Sequence, residues 1–384
     1  MTVTIDCPAP VGQYVSHRRL FSADHPLRLT SGVILPQVRV AYETYGELNA
    51  ARDNAVFVCH ALTGDSHVAR HHPGDSPGWW DVMVGPGRPV DTDGLFVICA
   101  NVLGGCAGTT AAWPSGTPHA AVDIADMVAV HRELVAALGV RRLRAVIGGS
   151  VGGMQALEWL LRHPADADGY FIAAATGRQS ADNLAWNAIA RAAIRSDPEF
   201  LDGRYPRRGG PRDGLGIARM IAHLTYLSEA SLQRKFGRDG RRPGTRFHPS
   251  TVVQGDFAVE SYLEHQADKF VRRFDANSYL TLTGAMDRFD AFSVPDALGT
   301  VDVRPKVRLY SFTHDRLYGP DHSRRIQAEL AARGVPARHD QDETSDAGHD
   351  AFLLDVPPFL DAMADFLRGL GAAPHPSSRT LTPR

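Results

Sequence analysis

The chain has 384 residues, 43% of them hydrophobic and 22% charged, with a formal net charge of −2, enough apolar material for one large domain or two of ordinary size. A charge so near neutral gives no electrostatic pull toward nucleic acid or an anionic membrane, and no apolar run is long enough to span a bilayer. The leading stretch MTVTIDCPAPVGQYVSHRR has no basic segment followed by an apolar one, and the four cysteines (Cys7, Cys59, Cys99, Cys106) form no C-x-x-C pair, so a cytoplasmic protein with reduced, structural thiols is expected.

Two β-type runs, HPLRLTSGVIL and QVRVAYETYG, stand either side of Pro36 and predict strands at the edge of a sheet, since proline cannot donate to a central ladder. Alternation begins after them. NAVFVCH and GLFVICANV read as strands, IADMVAVHRELVAALG as a helix, LRAVIGG as a strand, MQALEWLLRH as a helix and GYFIAAAT as a strand, the order of a mostly parallel sheet wrapped by helices. From Arg178 to Pro305 helical spacing dominates, in SADNLAWNAIARAAIRSD, LGIARMIAHLTYLSEASLQRKFG, AVESYLEHQADKFVRRF and ANSYLTLTGAMDRF. The α/β pattern then resumes with strand KVRLYSF, helix HSRRIQAELAARG, short polar strand ARHDQDE and closing helix PPFLDAMADFLRGL. The expected organisation is a core of residues 1–177 and 306–370, a helical lid at 178–305 and a disordered tail at 371–384.

At the junction of LRAVIGG and its following helix, Gly148-Gly149-Ser150-Val151-Gly152 fits G-x-S-x-G, in which glycines permit a strained strand-to-helix turn that lifts the serine hydroxyl clear of both elements. The competing reading is a plain helix N-cap serine. A serine nucleophile needs a base and a group to orient the base, and on an α/β-hydrolase fold these follow in the order acid, then histidine. Asp315, just after KVRLYSFTH, and His349, in DAGHDAFL before the last helix, occupy those places. Donors for the oxyanion of a tetrahedral intermediate are expected from the N–H of Val151 and from that of Leu62, where NAVFVC ends. His60, beside that turn, is read as structural.

Three other signals carry less. His67 and His71 in DSHVARHHPGD are four apart, but Pro73 and Gly74 follow and no helical pattern or glutamate accompanies them, so no metal site is expected. DTDG at Asp91–Gly94 lacks the later ligands of a calcium loop and reads as a turn. NVLGGCAG lacks the lysine and serine of a P-loop, and the arginine-rich RYPRRGGPRDG and GRDGRRPGTRFHP have no aromatic stacking platform and read as solvated loops.

Taken together, CHALTGDSHVA, GWWDVMVGPGRPVDTD, NVLGGCAGTT, GGSVGGMQALEW, ARMIAHLTYLSEASLQRKFGR, VESYLEHQADKFVRRFDANSYLTLTGAMDRFD and GHDAF resemble the homoserine O-acetyltransferase family over nearly the whole chain. The resemblance implies an α/β-hydrolase fold with a helical lid, acetyl transfer from acetyl-CoA to the side-chain hydroxyl of homoserine, no permanently bound cofactor, and a homodimer formed through the lid. Its triad falls on Ser150, Asp315 and His349. It also implies that Arg219 holds the amino-acid carboxylate with Tyr226 nearby, and that Asp350 holds the ammonium. Related enzymes that use succinyl-CoA tend to carry arginine two residues after the catalytic aspartate; Leu317 stands there and favours acetyl. The chain departs from the family at Val151, where methionine is usual, and in the looser GCAGTTAAWPSGTPHAAVDIADM. Serine as acceptor, and water as in an esterase, are the alternatives the triad leaves open; a binding protein on a dead scaffold is opposed by the intact triad.

Overall fold

The computed structural model describes residues 14–111, 121–206, 209–240, 257–293, 296–298 and 304–371. Strand β1 (Ser16–Leu20) precedes a small ribbon, β2 (Leu27–Arg28) with β3 (Ile34–Leu35), and then come β4 (Val38–Tyr45) and β5 (Ala55–Cys59). A second ribbon, β6 (Val84–Gly85) with β7 (Val90–Asp91), leads to β8 (Phe96–Ala100), α1 (Ile124–Ala137), β9 (Leu143–Gly149), α2 (Val151–Arg162) and β10 (Ala167–Ala173). Among the described residues there follow helices α3 (Ala181–Ser196), α4 (Arg212–Tyr226), α5 (Glu229–Phe236), α6 (Ala258–Val271) and α7 (Ala276–Arg288). The chain closes with β11 (Lys306–Phe312), α8 (Pro320–Ala332), β12 (Ala337–Asp342) and α9 (Pro357–Gly369).

One 8-stranded sheet runs in the order β1-β4-β8-β5-β9-β10-β11-β12. From β8 to β12 every neighbouring pair is parallel, while β4 runs antiparallel to both β1 and β8. This is the expected α/β-hydrolase architecture. The central strands read as unbroken apolar runs because helices cover both faces: Phe57 and Val146 join the cluster under α1 and α2, whereas Val58 and Ile147 join the one under α9, with Phe359 and Met363. Each such fully buried side chain contributes about 1.5–3 kcal/mol relative to exposure.

Three expectations about elements are corrected. HPLRLTSGVIL does not enter the main sheet but doubles back as the β2–β3 ribbon around Gly32, whose φ is +84°. The run QVRVAYETYG becomes β4, one strand in from the edge, because Pro36 lies before the strand and leaves its ladder N–H groups available. The edge itself is β1, whose SHRRL is exposed at all but its last residue. Third, the long helical run beginning LGIARM is two helices. Ser228 breaks it: its hydroxyl accepts the Ser231 N–H at 3.0 Å and starts α5. The tail beyond Gly371 and parts of both arginine-rich connections lie outside the described residues. No described helix is long and apolar enough to cross a membrane.

Candidate active site

The carboxyl ends of parallel strands are where α/β sheets place their chemistry, and the candidate residues gather there. Ser150 sits between β9 and α2 with φ 59° and ψ −124°, a strained conformation for a residue with a β-carbon. The surrounding glycines are sterically required. A β-carbon at Gly152 would come within 2.0 Å of the Cys59 carbonyl oxygen, and one at Gly148 within 2.4 Å of the Gly152 carbonyl. The helix therefore starts pressed against the end of β5, with the serine raised above it. Ser150 makes no N-cap hydrogen bond with its side chain. Its hydroxyl donates instead to His349 Nε2 at 2.9 Å, the arrangement a serine nucleophile needs and not that of a capping serine.

The other ring nitrogen of His349 donates to Asp315 Oδ2 at 2.7 Å, so the tautomer that accepts from Ser150 is the one held in place. Asp315 lies beyond β11, where Oδ1 accepts the N–H groups of Leu317 and Tyr318, each at 2.8 Å. All three members are buried: Ser150, Asp315 and His349 are 5%, 6% and 2% exposed. Burial alone would pull the imidazole down, but the charge and hydrogen bond of Asp315, with the charge of Asp350, outweigh it and leave His349 above its ordinary value. Just before it, Gly348 has φ +86°, and a β-carbon there would meet the Ser228 backbone nitrogen at 2.5 Å. Here the loop that carries the histidine touches the start of α5, and the Ser228 hydroxyl donates to the Asp346 carbonyl while Arg234 pairs with the Asp346 carboxylate.

Val151 is the first residue of α2, so its N–H has no intrahelical acceptor. Leu62 follows the end of β5 and lines a cavity with Tyr226, Leu317 and Tyr318. The next residue, Thr63, is tethered by Arg273 Nη1, which donates to its carbonyl at 2.9 Å. His60 is engaged at both ring nitrogens by backbone: Nδ1 donates to the Ala61 carbonyl at 2.7 Å and Nε2 accepts the Val102 N–H at 3.1 Å. Its structural role agrees with the expectation.

Helix α4 brings Arg219 into the same region. Its guanidinium carbon lies 4.7 Å from the Phe270 ring centre and 5.6 Å from that of Tyr226. Its Nε and Nη1 are buried without a hydrogen-bond partner among the described residues, a costly state unless something else arrives to accept from them. The Tyr226 ring centre is 5.9 Å from that of His349. Burial pushes the Asp350 carboxyl up, against the pull of His349 and Arg219. A guanidinium and a carboxylate, sensing each other but not hydrogen-bonded to each other, thus flank the serine's neighbourhood. That pair matches the two charged ends of an amino acid.

Sequence reasoning missed the supports. Asn183 of α3 donates to the Leu317 carbonyl at 3.2 Å and Gln179 donates to the Tyr318 hydroxyl at 2.9 Å, so the helical insertion fixes the loop that holds Asp315. It also missed Glu43, which β4 places between His67 and His71; the signal was an acidic residue at an inward position of an alternating strand. The DTDG segment is a turn as expected, Asp91 Oδ1 accepting the Gly87 and Asp93 N–H groups at 3.0 Å each.

A family model described as the alpha/beta hydrolase fold matches residues 54–356. Homoserine O-acetyltransferase from Rhodopseudomonas palustris (strain BisB18) is 46% identical over 367 residues, 92% of this chain and 91% of that protein. Homoserine O-succinyltransferase from Nocardioides sp. (strain ATCC BAA-499 / JS614) is also 46% identical, over 92% of this chain and 98% of its own. Among solved structures, homoserine O-acetyltransferase from Bacillus anthracis superposes with a TM-score of 0.81 at 24% identity, covering 97% of this chain and all (100%) of that one. The last of these likenesses bears on the fold alone.

Proposed function

The chain belongs to the homoserine O-acetyltransferase family on an α/β-hydrolase fold, and from that premise we propose that it moves an acetyl group from acetyl-CoA to the side-chain hydroxyl of L-homoserine through an acetyl-Ser150 intermediate. The observation that carries the reading is the unbroken chain Ser150–His349–Asp315, at 2.9 and 2.7 Å, beside a guanidinium with buried, unpartnered nitrogens. His349 takes the Ser150 proton as Oγ attacks the thioester carbonyl. The N–H groups of Val151 and Leu62 receive the oxyanion. The C–S bond breaks, and His349 returns the proton to the departing thiolate. Homoserine then enters with its carboxylate on Arg219 and its ammonium on Asp350. His349 removes the proton of its hydroxyl, the new ester forms, and Ser150 regains its proton. Asp315 keeps the imidazole oriented and stabilises its cation throughout. Helices α3 to α7 act as the lid over this site, and coenzyme A is a substrate rather than a resident cofactor.

Relatives equally close in identity carry names for acetyl and for succinyl transfer, so the donor is assigned from Leu317, which offers no charge to a succinyl carboxylate. The reading further places the enzyme in the cytoplasm, in keeping with the buried, unbridged thiols of Cys59 and Cys99. It also makes it a homodimer through the lid, whose helices α3 and α4 expose Leu184, Ile189, Ile217 and Leu224. Steady-state rates with acetyl-CoA and succinyl-CoA, each against homoserine, serine and water, test the assignment. Acetyl-CoA with homoserine is expected to dominate, and Leu317→Arg to narrow the gap between donors. Coenzyme A release at a rate indifferent to homoserine would make the protein an esterase instead.

A further inference from the structure

Glu43 lies on β4, and its side chain is wholly shielded from solvent (0% exposed). Ser66 Oγ donates to Oε1 at 3.0 Å and the Tyr45 hydroxyl to Oε2 at 3.1 Å, while His67 Nδ1 and His71 Nε2 stand 2.9 and 2.8 Å from the same Oε2. Among the described residues no lysine or arginine pairs with it. A buried carboxylate is costly without positive charge beside it.

His67 fixes what must lie between. Its Nε2 is 2.9 Å from the Ser76 carbonyl oxygen, which only accepts, so Nε2 carries a hydrogen and Nδ1 has a lone pair for the side facing Glu43. In the neutral ring those two acceptors face each other, which needs a proton or a cation between them. A second ring proton would serve His67, and His71 Nε2 can donate its own to Oε2; one divalent ion would serve both ring nitrogens at once. The ligating atoms of all three residues lie within 4.8 Å of one another, compatible with the edges of about 3.3 Å that a tetrahedral zinc shell needs after small adjustments. The surroundings are those that orient metal ligands: a ring N–H on a backbone carbonyl and a hydroxyl on the second carboxylate oxygen. The His71 ring is clamped between Tyr14 and Tyr45, with centres 4.2 and 4.3 Å away and interplanar angles of 28° and 15°.

We propose that Glu43, His67 and His71 bind one divalent ion of the zinc class, with solvent completing its shell. Two imidazoles and a carboxylate suit zinc better than magnesium or calcium, which favour all-oxygen shells. The site ties β4 to the loop that runs from the end of β5 through Leu62 to His71, so the ion positions that loop and takes no part in the acyl chemistry. Expecting no metal from the sequence rested on Pro73 and Gly74, the missing helical pattern and the lack of a nearby glutamate; the sheet brings a glutamate from β4.

The test uses the full chain, stripped with a chelator and titrated with zinc chloride alone by calorimetry, then with cobalt(II) by visible absorption. One equivalent of zinc is expected to bind with a rise in the thermal midpoint, and cobalt to give the intense absorption of a four-coordinate site. His71→Phe keeps a ring between the two tyrosines but removes a ligand, and should weaken zinc at least about tenfold. Glu43→Gln, its fold verified by circular dichroism, should do the same. No zinc uptake by the wild type at micromolar concentrations overturns the site, as does His71→Phe binding zinc as tightly as the wild type.

Discussion

At the scale of single residues, the two halves of the proposed reaction separate the triad from the amino-acid clamp. Acylation of Ser150 needs no contact with the acceptor, so Arg219→Ala should still form acetyl-enzyme and then fail to pass the group on. Loss of a charge-assisted partner of a carboxylate costs about 1.5–3 kcal/mol, or roughly tenfold to a few hundredfold in kcat/KM for homoserine. Single-turnover deacylation of the washed acyl-enzyme measures it, and a wild-type rate across homoserine concentrations would remove Arg219 from the site. The acid limb of acylation against pH reports His349, which acts as a base only when neutral. Its value is held above the ordinary 6.5 by Asp315 and Asp350, so activity is lost as pH falls through a point above 6.5. Asp350→Asn removes one of the raising charges and should move that limb to lower pH; a limb that stays or rises contradicts the assignment. The triad was legible in the sequence because glycine spacing and chain order are strict geometric requirements. Arg219 was not: a single arginine on an amphipathic helix looks like any solvated charge until the fold buries its nitrogens, and only the family resemblance singled it out.

At the scale of elements, the parallel strands were readable because burial on both faces leaves an apolar run with no polar alternation. β1 was not, since an edge strand such as SHRRL pairs through its backbone and leaves its charged side chains in solvent. The α4–α5 break was hidden because apolar spacing continues across Leu227, and only the Ser228 cap interrupts it. The contact between α5 and the histidine loop gives a paired test. Gly334 and Gly348 both have left-handed φ, +73° and +86°, but a β-carbon at Gly334 meets nothing within 4 Å, whereas at Gly348 it meets the backbone of Tyr226, Leu227 and Ser228. Gly334→Ala should therefore cost only the conformational strain, about 1–2 kcal/mol, with kcat unchanged. Gly348→Ala should cost more by denaturant unfolding and lower kcat at least about tenfold, because a 1 Å displacement of a catalytic group costs on the order of a hundredfold. Equal effects of the two on kcat would mean that the α5 contact does not set the position of His349.

At the scale of the whole molecule, the loops at the ends of the sheet's strands bring Ser150, Asp315 and His349 together, and the helical insertion brings Arg219 and the braces on the Asp315 loop. Function therefore depends on how the insertion sits on the core. The apolar residues that α3 and α4 leave exposed predict that it is also where two copies meet. Ile189 and Ile217 are 53% and 48% exposed in the single chain, and Ile189→Glu with Ile217→Glu should convert a dimer to a monomer in sedimentation velocity; a wild type that sediments as a monomer would refute the dimer. Apart from the family resemblance, no sequence signal spoke to assembly, because apolar residues on an amphipathic helix look alike whether they face a core or a partner. The covalent intermediate is the central claim, and the most direct measurement is rapid-quench mass spectrometry of the protein with acetyl-CoA in the absence of any amino acid. One acetyl mass is predicted on the peptide containing Ser150, lost on addition of homoserine as O-acetylhomoserine appears at a matching rate. Turnover to O-acetylhomoserine with no acylated Ser150 at any quench time would contradict it.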